Sequence, residues 1–287
     1  MPELPEVEAL VRFLDGQSAG ATVQRCQLAS ISALKTFDPP LEALEGQRVK
    51  GWHRRGKYLA MEAERLWLVL NLARGGWVTW WDTPPRRAVR LGGRGPLGLR
   101  ISLDGGRGFD VTEMGTEKRL AVWVVRHPAD VEGVATLGPE PLDPAFDRRA
   151  LARILAAEKG TVKNALSHQS AVAGIGNAYS DEILHAARLS PFKPAASLGD
   201  EELDRLFRAV HDVLSEAVDR AVGLGASELK GDKKRSMRVH GRTGQACPVC
   251  GDMVREVSFA TRSLQYCPTC QTGGKPLADR RLSRLVK

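Results

Sequence analysis

The chain has 287 residues, with 42 Lys or Arg against 34 Asp or Glu, a formal net charge of +8, 43% hydrophobic residues and 26% charged ones. Such a balance excludes a disordered chain, a collagen and a disulfide-dense mini-protein, and the length suits one large domain or two to three small ones. No stretch approaches the ~20 consecutive apolar residues of a membrane helix. Met1–Glu8 carries no basic region followed by an apolar run, so the expectation is a cytoplasmic protein.

The first segment reads as a helix, with Leu4, Val7, Val11 and Leu14 at helical spacing, Leu10 beside them and Gly16 closing the run. From Thr22 to Val125 the pattern changes to short strands: Tyr58–Ala63, Leu66–Asn71, Trp77–Trp81, Leu99–Leu103 and Leu120–Val125, with turns such as Asp104-Gly105-Gly106 between them. All six Trp residues fall in this region, and an aromatic-rich β-sandwich core accounts for them better than base-stacking platforms do. A Pro-rich linker at Leu137–Leu142 ends the strand pattern. Helices follow: one capped by Asp147 and carrying Leu151, Ile154 and Leu155, a second over Val162–His168, and a third with Leu203, Leu206, Phe207, Val210, Val213 and Leu214 behind a capping box at Ser197–Asp200.

The surplus charge is local. Glu228 to Lys287 holds 13 Lys or Arg against 5 Asp or Glu, which is the whole of the net charge and leaves the preceding residues neutral in sum. A basic block on a neutral body fits a polyanionic partner or a solvated tail, and charge alone leaves the two open. Four of the five cysteines lie in the same block, Cys247 and Cys250, then 16 residues, then Cys267 and Cys270. Paired C-x-x-C spacing of this kind predicts a tetrahedral zinc site, with short strands at Val254–Ala260 and Ser263–Tyr266 forming a zinc-clamped hairpin between the pairs. Structural disulfides are disfavoured in a cytosolic chain, and two matched pairs argue against a lone redox site. Cys26 stands apart as a buried or idle thiol.

Removal of Met1 would expose Pro2 as a secondary amine, a group that is partly unprotonated near neutral pH and adds to a sugar aldehyde carbon. The neighbouring carboxylate, Glu3, is suited to move the protons that imine formation and elimination require. Taken by themselves, Pro2 and Pro5 are better read as simply starting a helix, where proline is welcome.

Pro2-Glu3-Leu4-Pro5-Glu6-Val7-Glu8 resembles the N-terminus of the formamidopyrimidine-DNA glycosylase/endonuclease VIII family. The resemblance continues through Arg55-Gly56-Lys57-Tyr58-Leu59, Leu137-Gly138-Pro139-Glu140-Pro141-Leu142, Gly174-Ile175-Gly176-Asn177-Ala178-Tyr179 and the four-cysteine hairpin, in that order, from Met1 to Cys270. It implies an α+β multidomain fold: an N-terminal helix plus β-sandwich over 1–136, a helix–two-turn–helix domain over 137–225, a C-terminal zinc-finger β-hairpin over 226–270 and a basic tail over 271–287. It further implies a base-excision-repair DNA glycosylase with abasic-site lyase activity. Pro2 would be the Schiff-base nucleophile and Glu3 the general acid/base, with Lys57 on a hairpin at DNA phosphate and β/δ-elimination cutting the strand. Asn177, at a helix start, and Arg262, at the finger tip, would bind phosphates near a flipped nucleotide. Cys247, Cys250, Cys267 and Cys270 would hold one structural zinc, and the enzyme would act on double-stranded damaged DNA as a monomer associated with the bacterial nucleoid. The alternative is a catalytically weak damaged-DNA-binding protein of the same fold.

Three departures set this chain apart from the formamidopyrimidine branch. The segments that supply void-filling side chains read Asn71-Leu72-Ala73-Arg74 and Glu117-Lys118-Arg119-Leu120. Arg74 and Lys118 are carried over as DNA contacts, and Leu72 and Leu120 are the apolar candidates for a wedge. Between Val222 and His240 the chain has a shorter loop without aromatics in place of a purine-covering lid. That predicts an endonuclease VIII-like preference for oxidised pyrimidines, ring-opened purines and abasic sites. Finally, Gln271–Lys287, with Arg280, Arg281 and Arg284, extends past the last cysteine, either adding affinity through counterion release or trailing as a flexible tail.

Overall fold

The structure, a computed structural model, describes residues 1–93, 95–259 and 262–278. It opens with α1 (Leu4–Ser18), followed by strands β1 (Val23–Leu28), β2 (Val49–Arg55), β3 (Tyr58–Ala63), β4 (Trp67–Asn71), β5 (Gly76–Trp81), β6 (Leu97–Leu103), β7 (Gly108–Glu113) and β8 (Ala121–Val125). Next come α2 (Glu132–Ala135), α3 (Arg148–Ala157), α4 (Val162–Ser167), α5 (Asn177–Ala186), α6 (Asp200–Ala221) and α7 (Leu229–Ser236), then β9 (Arg255–Ser258), β10 (Ser263–Tyr266) and α8 (Pro268–Thr272). No helix among the described residues is long and apolar enough to cross a membrane.

The chain divides into two compact units, Met1–Leu137 with Arg220–Lys230, and Gly138–Asp219 with Gly231–Lys287. In the first unit, two antiparallel four-stranded sheets, ordered β1-β6-β7-β5 and β2-β3-β4-β8, form the expected sandwich. Alternating inward residues such as Leu59, Met61, Leu68, Leu70, Ile101, Phe109, Val111 and Val122 fill the core, and α1 adds Val7, Leu10, Val11 and Leu14 to it. The helix runs through Gly16 to Ser18, because Ser18 Oγ bonds back to Leu14 O and accepts the buried indole N–H of Trp52. Scaffold roles also hold most other tryptophans: Trp77 donates to Ala226 O, Trp81 donates to Asp110, and Trp67 and Trp123 pack on Ala60 and Val69. Cys26 is buried beside Glu45 and Glu42, and burial pushes its thiol far up, in keeping with an idle group.

In the second unit, Asp147 caps α3 through Ala150 N, as read from the sequence. The capping box expected at Ser197–Asp200 is not what starts α6. Ser197 lies in a short 3₁₀ turn and bonds Pro194 O, while Glu202 accepts the Gly199 amide. The antiparallel β9–β10 pair forms the hairpin between the cysteine pairs. The segment expected as an open loop after Val222 contains α7 instead: Leu229 anchors it in the sandwich core, and within the second unit Lys233 lies 4.7 Å over the Tyr179 ring. The start of the tail is tethered. Leu277 packs on Val257, Leu264 and Tyr266, and its N–H donates to Tyr266 Oη at 2.7 Å. Arg280, Arg281 and Arg284 lie outside the described residues.

Candidate active site and metal centre

Pro2 and Glu3 are both buried at the mouth of α1. Glu3 is the N-cap of the helix: its N–H donates to Glu6 Oε2 at 2.8 Å in a reciprocal capping box, which fixes the residue that follows Pro2 at the helix start. Two residues into the next turn, Glu8 accepts from Arg54 Nε at 2.9 Å and from Arg12 Nε at 2.8 Å. Burial raises the Glu8 carboxyl, but the two guanidinium groups outweigh it and hold the group below its ordinary value. Arg54 also reaches Gly56 O, so α1 is tied through one side chain to the turn that carries Lys57. That turn has two residues between the paired Arg55 and Tyr58, with Gly56 at φ 54°, the backbone conformation that a II′ hairpin asks of its first residue. Lys57 is half-buried there.

The two loops flagged for void filling are joined. Met114 N donates to Gly75 O at 3.0 Å, next to the Gly76–Glu113 pair of β5 and β7. Arg74 and Lys118 are exposed as expected, and Lys118 Nζ folds back onto Glu113 O. Leu72 and Leu120 are not available as wedges: both are buried in the sandwich core, Leu120 against Gly98. The buried Glu113 carboxylate pins Leu120 inward by accepting the amides of Arg119 and Leu120 at 2.7 and 2.9 Å. The large apolar side chain that these loops expose is Met114, 64% accessible and one residue beyond β7.

In the second unit, Asn177 and Arg262 line one cavity of about 170 Å³ together with Lys163, Phe192 and Phe259. The preceding turn is built for this: Gly174 sits at φ 83°, and Gln169 staples the turn by accepting Gly174 N and donating to Ile175 O. Asn177 is the first residue of α5, and its Nδ2 donates to Ser263 O at 2.7 Å. Beneath it, the buried Lys163 ammonium donates to Asn177 O, Ser180 Oγ and Asp181 Oδ1, the last at 2.6 Å. Asp181 Oδ2 in turn meets His240 Nδ1 at 2.8 Å and accepts the Gln265 amide. Its neighbour Glu182 accepts three successive amides, those of Arg238, Val239 and His240. Burial raises the Glu182 carboxyl against the lowering effect of those amides.

All four finger cysteines are free thiols, with Cys247 and Cys270 sulphurs 3.9 Å apart and those of Cys250 and Cys267 3.3 Å apart. A disulfide needs contact near 2 Å, whereas four sulphurs bound to one zinc at ~2.3 Å stand about 3.8 Å from each other. The donor set therefore fits a zinc ion and not a pair of disulfides. His185, on α5, brings its Nε2 within 3.3 Å of Cys247 Sγ. Burial, reinforced by Arg238 and Arg188, lowers that imidazole to about 4.

Residues 1–110 match the formamidopyrimidine-DNA glycosylase N-terminal domain, 137–227 its H2TH domain and 244–273 the zinc finger found in FPG and IleRS. The formamidopyrimidine-DNA glycosylase of Moorella thermoacetica is 36% identical over 269 residues, covering 90% of this chain and 94% of the relative. The chain belongs to the formamidopyrimidine-DNA glycosylase family. An uncharacterized formamidopyrimidine-DNA glycosylase-like protein of Mycobacterium tuberculosis is 59% identical over 151 residues, 53% of this chain and 94% of the relative. A solved MutM in complex with carbocyclic 8-oxo-G-containing DNA superposes with a TM-score of 0.82 at 25% identity, covering 94% of this chain and all of that one, 100%. Family membership and the cysteine cluster together give the finger one structural zinc.

Within this family frame, the residues that sequence reading missed are Lys163, Asp181, Glu182 and His185. All four are polar and buried on α4 and α5. Their partners lie far away in the sequence, and only the adjacent acidic pair Asp181-Glu182 ahead of the apolar Ile183-Leu184 hinted at them.

Proposed function

We propose that the protein is a DNA glycosylase with abasic-site lyase activity, acting on oxidised bases in duplex DNA through the amine that Pro2 gains when Met1 is removed. The observation that carries this reading is the start of α1, where Glu3, next in sequence to Pro2, is held as the N-cap by its exchange with Glu6, and the Glu8–Arg54–Gly56 link ties that helix to the Lys57 turn. The relatives named as glycosylases and the MutM–DNA complex support the substrate class.

The Pro2 nitrogen lone pair forms a bond to C1′ as the glycosidic C1′–N bond breaks, and the departing base takes the electron pair and a proton. Opening of the sugar ring leaves an iminium, with Glu3 as the group that delivers and removes protons. Loss of a C2′ proton sends electrons toward the iminium and expels the 3′ phosphate. Hydrolysis then frees Pro2. Lys57, Asn177, Arg262, Arg74 and Lys118 are assigned to DNA, and Lys163 holds the Asn177 backbone in place beneath the cavity that Asn177 lines with Arg262. Zinc, held by Cys247, Cys250, Cys267 and Cys270, supplies folding energy to a hairpin too small to stand alone.

Met114 and Arg74, on loops joined by a backbone hydrogen bond, replace Leu72 and Leu120 as the proposed void-filling pair. With α7 where a purine lid would be, the preferred substrates are oxidised pyrimidines, ring-opened purines and abasic sites. Borohydride trapping on duplexes carrying an abasic site, 8-oxoguanine or an oxidised pyrimidine tests both levels. An adduct mapping to Pro2 is the expected result. No adduct from a preparation verified to begin at Pro2 leaves a lesion-binding protein, and 8-oxoguanine as the best substrate by a wide margin removes the lesion preference alone.

A further inference from the structure

His185 lies in the last turn of α5 and is 3% exposed. Its Nδ1 is the one buried side-chain N or O atom among the described residues that has no hydrogen-bond partner. Its Nε2 and the sulphurs of Cys247, Cys267 and Cys270 all lie within 4.8 Å of one another, with Cys247 Sγ nearest at 3.3 Å.

We propose that His185 is a fifth residue of the zinc centre, donating its Nε2–H to the Cys247 thiolate and so positioning that ligand and fastening α5 to the finger. The proposal rests on the reading of the four cysteines as the zinc ligands. Two placements of the imidazole proton are open to chemistry, and the surroundings separate them. A metal-bound imidazole passes its other N–H to a carbonyl, carboxylate or water. With Nε2 on the metal, Nδ1 would carry a proton with nothing to receive it in a buried site. With the proton on Nε2, the unpaired atom is a bare acceptor, and the N–H meets the anionic sulphur that most needs a donor. Four thiolates around one Zn²⁺ leave an excess of negative charge, and an N–H aimed at one of them offsets part of that charge, eases the repulsion between the sulphurs and disfavours the protonation that would free Cys247 from the metal.

The same helix already grips the finger elsewhere. Asp181 and Glu182 hold residues 238–240 and Gln265, while Gln271 links the Cys267 amide to Leu189 O just beyond the helix. His185 supplies the contact that reaches the first cysteine pair.

The test uses the full zinc-loaded chain, its His185→Phe variant, which keeps a flat ring without a donor, and its His185→Gln variant, which keeps a donor. Transfer of zinc to an excess of a chromophoric chelator is timed, and the absorption of the Co²⁺-substituted proteins is recorded. Expected are a four-thiolate Co²⁺ spectrum for the parent, release on the order of 10- to 100-fold faster for His185→Phe, and near-parental release for His185→Gln. Equal rates for parent and His185→Phe, or a His185→Gln rate matching His185→Phe, overturn the proposal. So does a parent Co²⁺ spectrum of three sulphurs and one nitrogen that changes in His185→Phe, because His185 is then a ligand. A parent chain that takes up no zinc sinks the four-cysteine reading as well, which separates the two failures.

Discussion

The sandwich and the finger are stabilised in opposite ways. The sandwich closes two sheets and α1 over one continuous apolar core. Among its described residues the finger shows two small clusters, Val239, Cys247, Val254 and Cys267 in one and Val257, Leu264 and Tyr266 in the other. What it lacks in burial it replaces with thiolates and with the polar side chains of α4 and α5. Burial is a diffuse force that tolerates the loss of one contact, while a ligated, ion-paired element fails when one member is removed. The largest expected effect follows directly. Stripping the metal with a strong chelator removes a binding free energy of about 10–16 kcal/mol that is also folding energy. Hydrogen exchange should then rise throughout 239–272 while the amides of β3, β4 and β7 stay protected. Retained protection in the finger would erase the contrast.

A second blow at the same side of the comparison leaves the metal alone. Lys163→Met strands the Asp181 carboxylate, which is fully buried, with only His240 and the Gln265 amide. Breaking a buried pair in this way is expected to cost about 3–5 kcal/mol. A thermal melt followed by domain-resolved exchange should show the second unit unfolding first. A melt that matches the parent would mean the network is ornamental.

The same contrast explains what was legible in the sequence. Strands Tyr58–Ala63 and Ser263–Tyr266 were read to the residue because alternation and flanking turns are local signals. The cysteine spacing was legible for the same reason. Lys163, Asp181 and His185 were not, since each owes its role to partners 14 to 84 residues away and looks like an ordinary surface residue on its own helix. The wedge failed in the other direction. Leu72 and Leu120 were apolar and in the right segments, but apolarity does not say which way a side chain points, and Glu113 turns Leu120 into the core.

That error gives a paired experiment within the sandwich unit. Leu120→Ala should lower stability by about 2–5 kcal/mol, the range for truncating a buried leucine, and lower activity only through loss of folded protein. Met114→Ala should leave the melting midpoint within a degree or so of the parent's, a surface change worth about 0.5 kcal/mol or less, while slowing single-turnover base excision more than it slows cleavage of a preformed abasic site. The reverse pattern would return the wedge to Leu120.

The smallest effect concerns the link between α1 and the Lys57 turn. Glu8 is held below its ordinary value of 4.5 by Arg54 and Arg12 despite partial burial. A carboxyl whose pKa is lower in the folded than in the unfolded chain adds stability that is fully present above the unfolded pKa. That contribution is lost as the pH falls below 4.5 and through the depressed folded value. Arg54→Met removes the principal partner, so the Glu8 contribution shrinks at neutral pH and its loss in acid shrinks with it. Denaturation midpoints of parent and variant should therefore be separated at pH 7 and converge as the pH drops below 4.5. Because Arg54 also holds Gly56 O, the variant should weaken phosphate contact by the Lys57 turn, seen as slower cleavage of an abasic duplex at pH 7 with Pro2 trapping still detectable. Midpoints that stay parallel into acid would show that Arg54 packs against the helix without pairing with Glu8, and the tie between nucleophile helix and hairpin would then rest on shape alone.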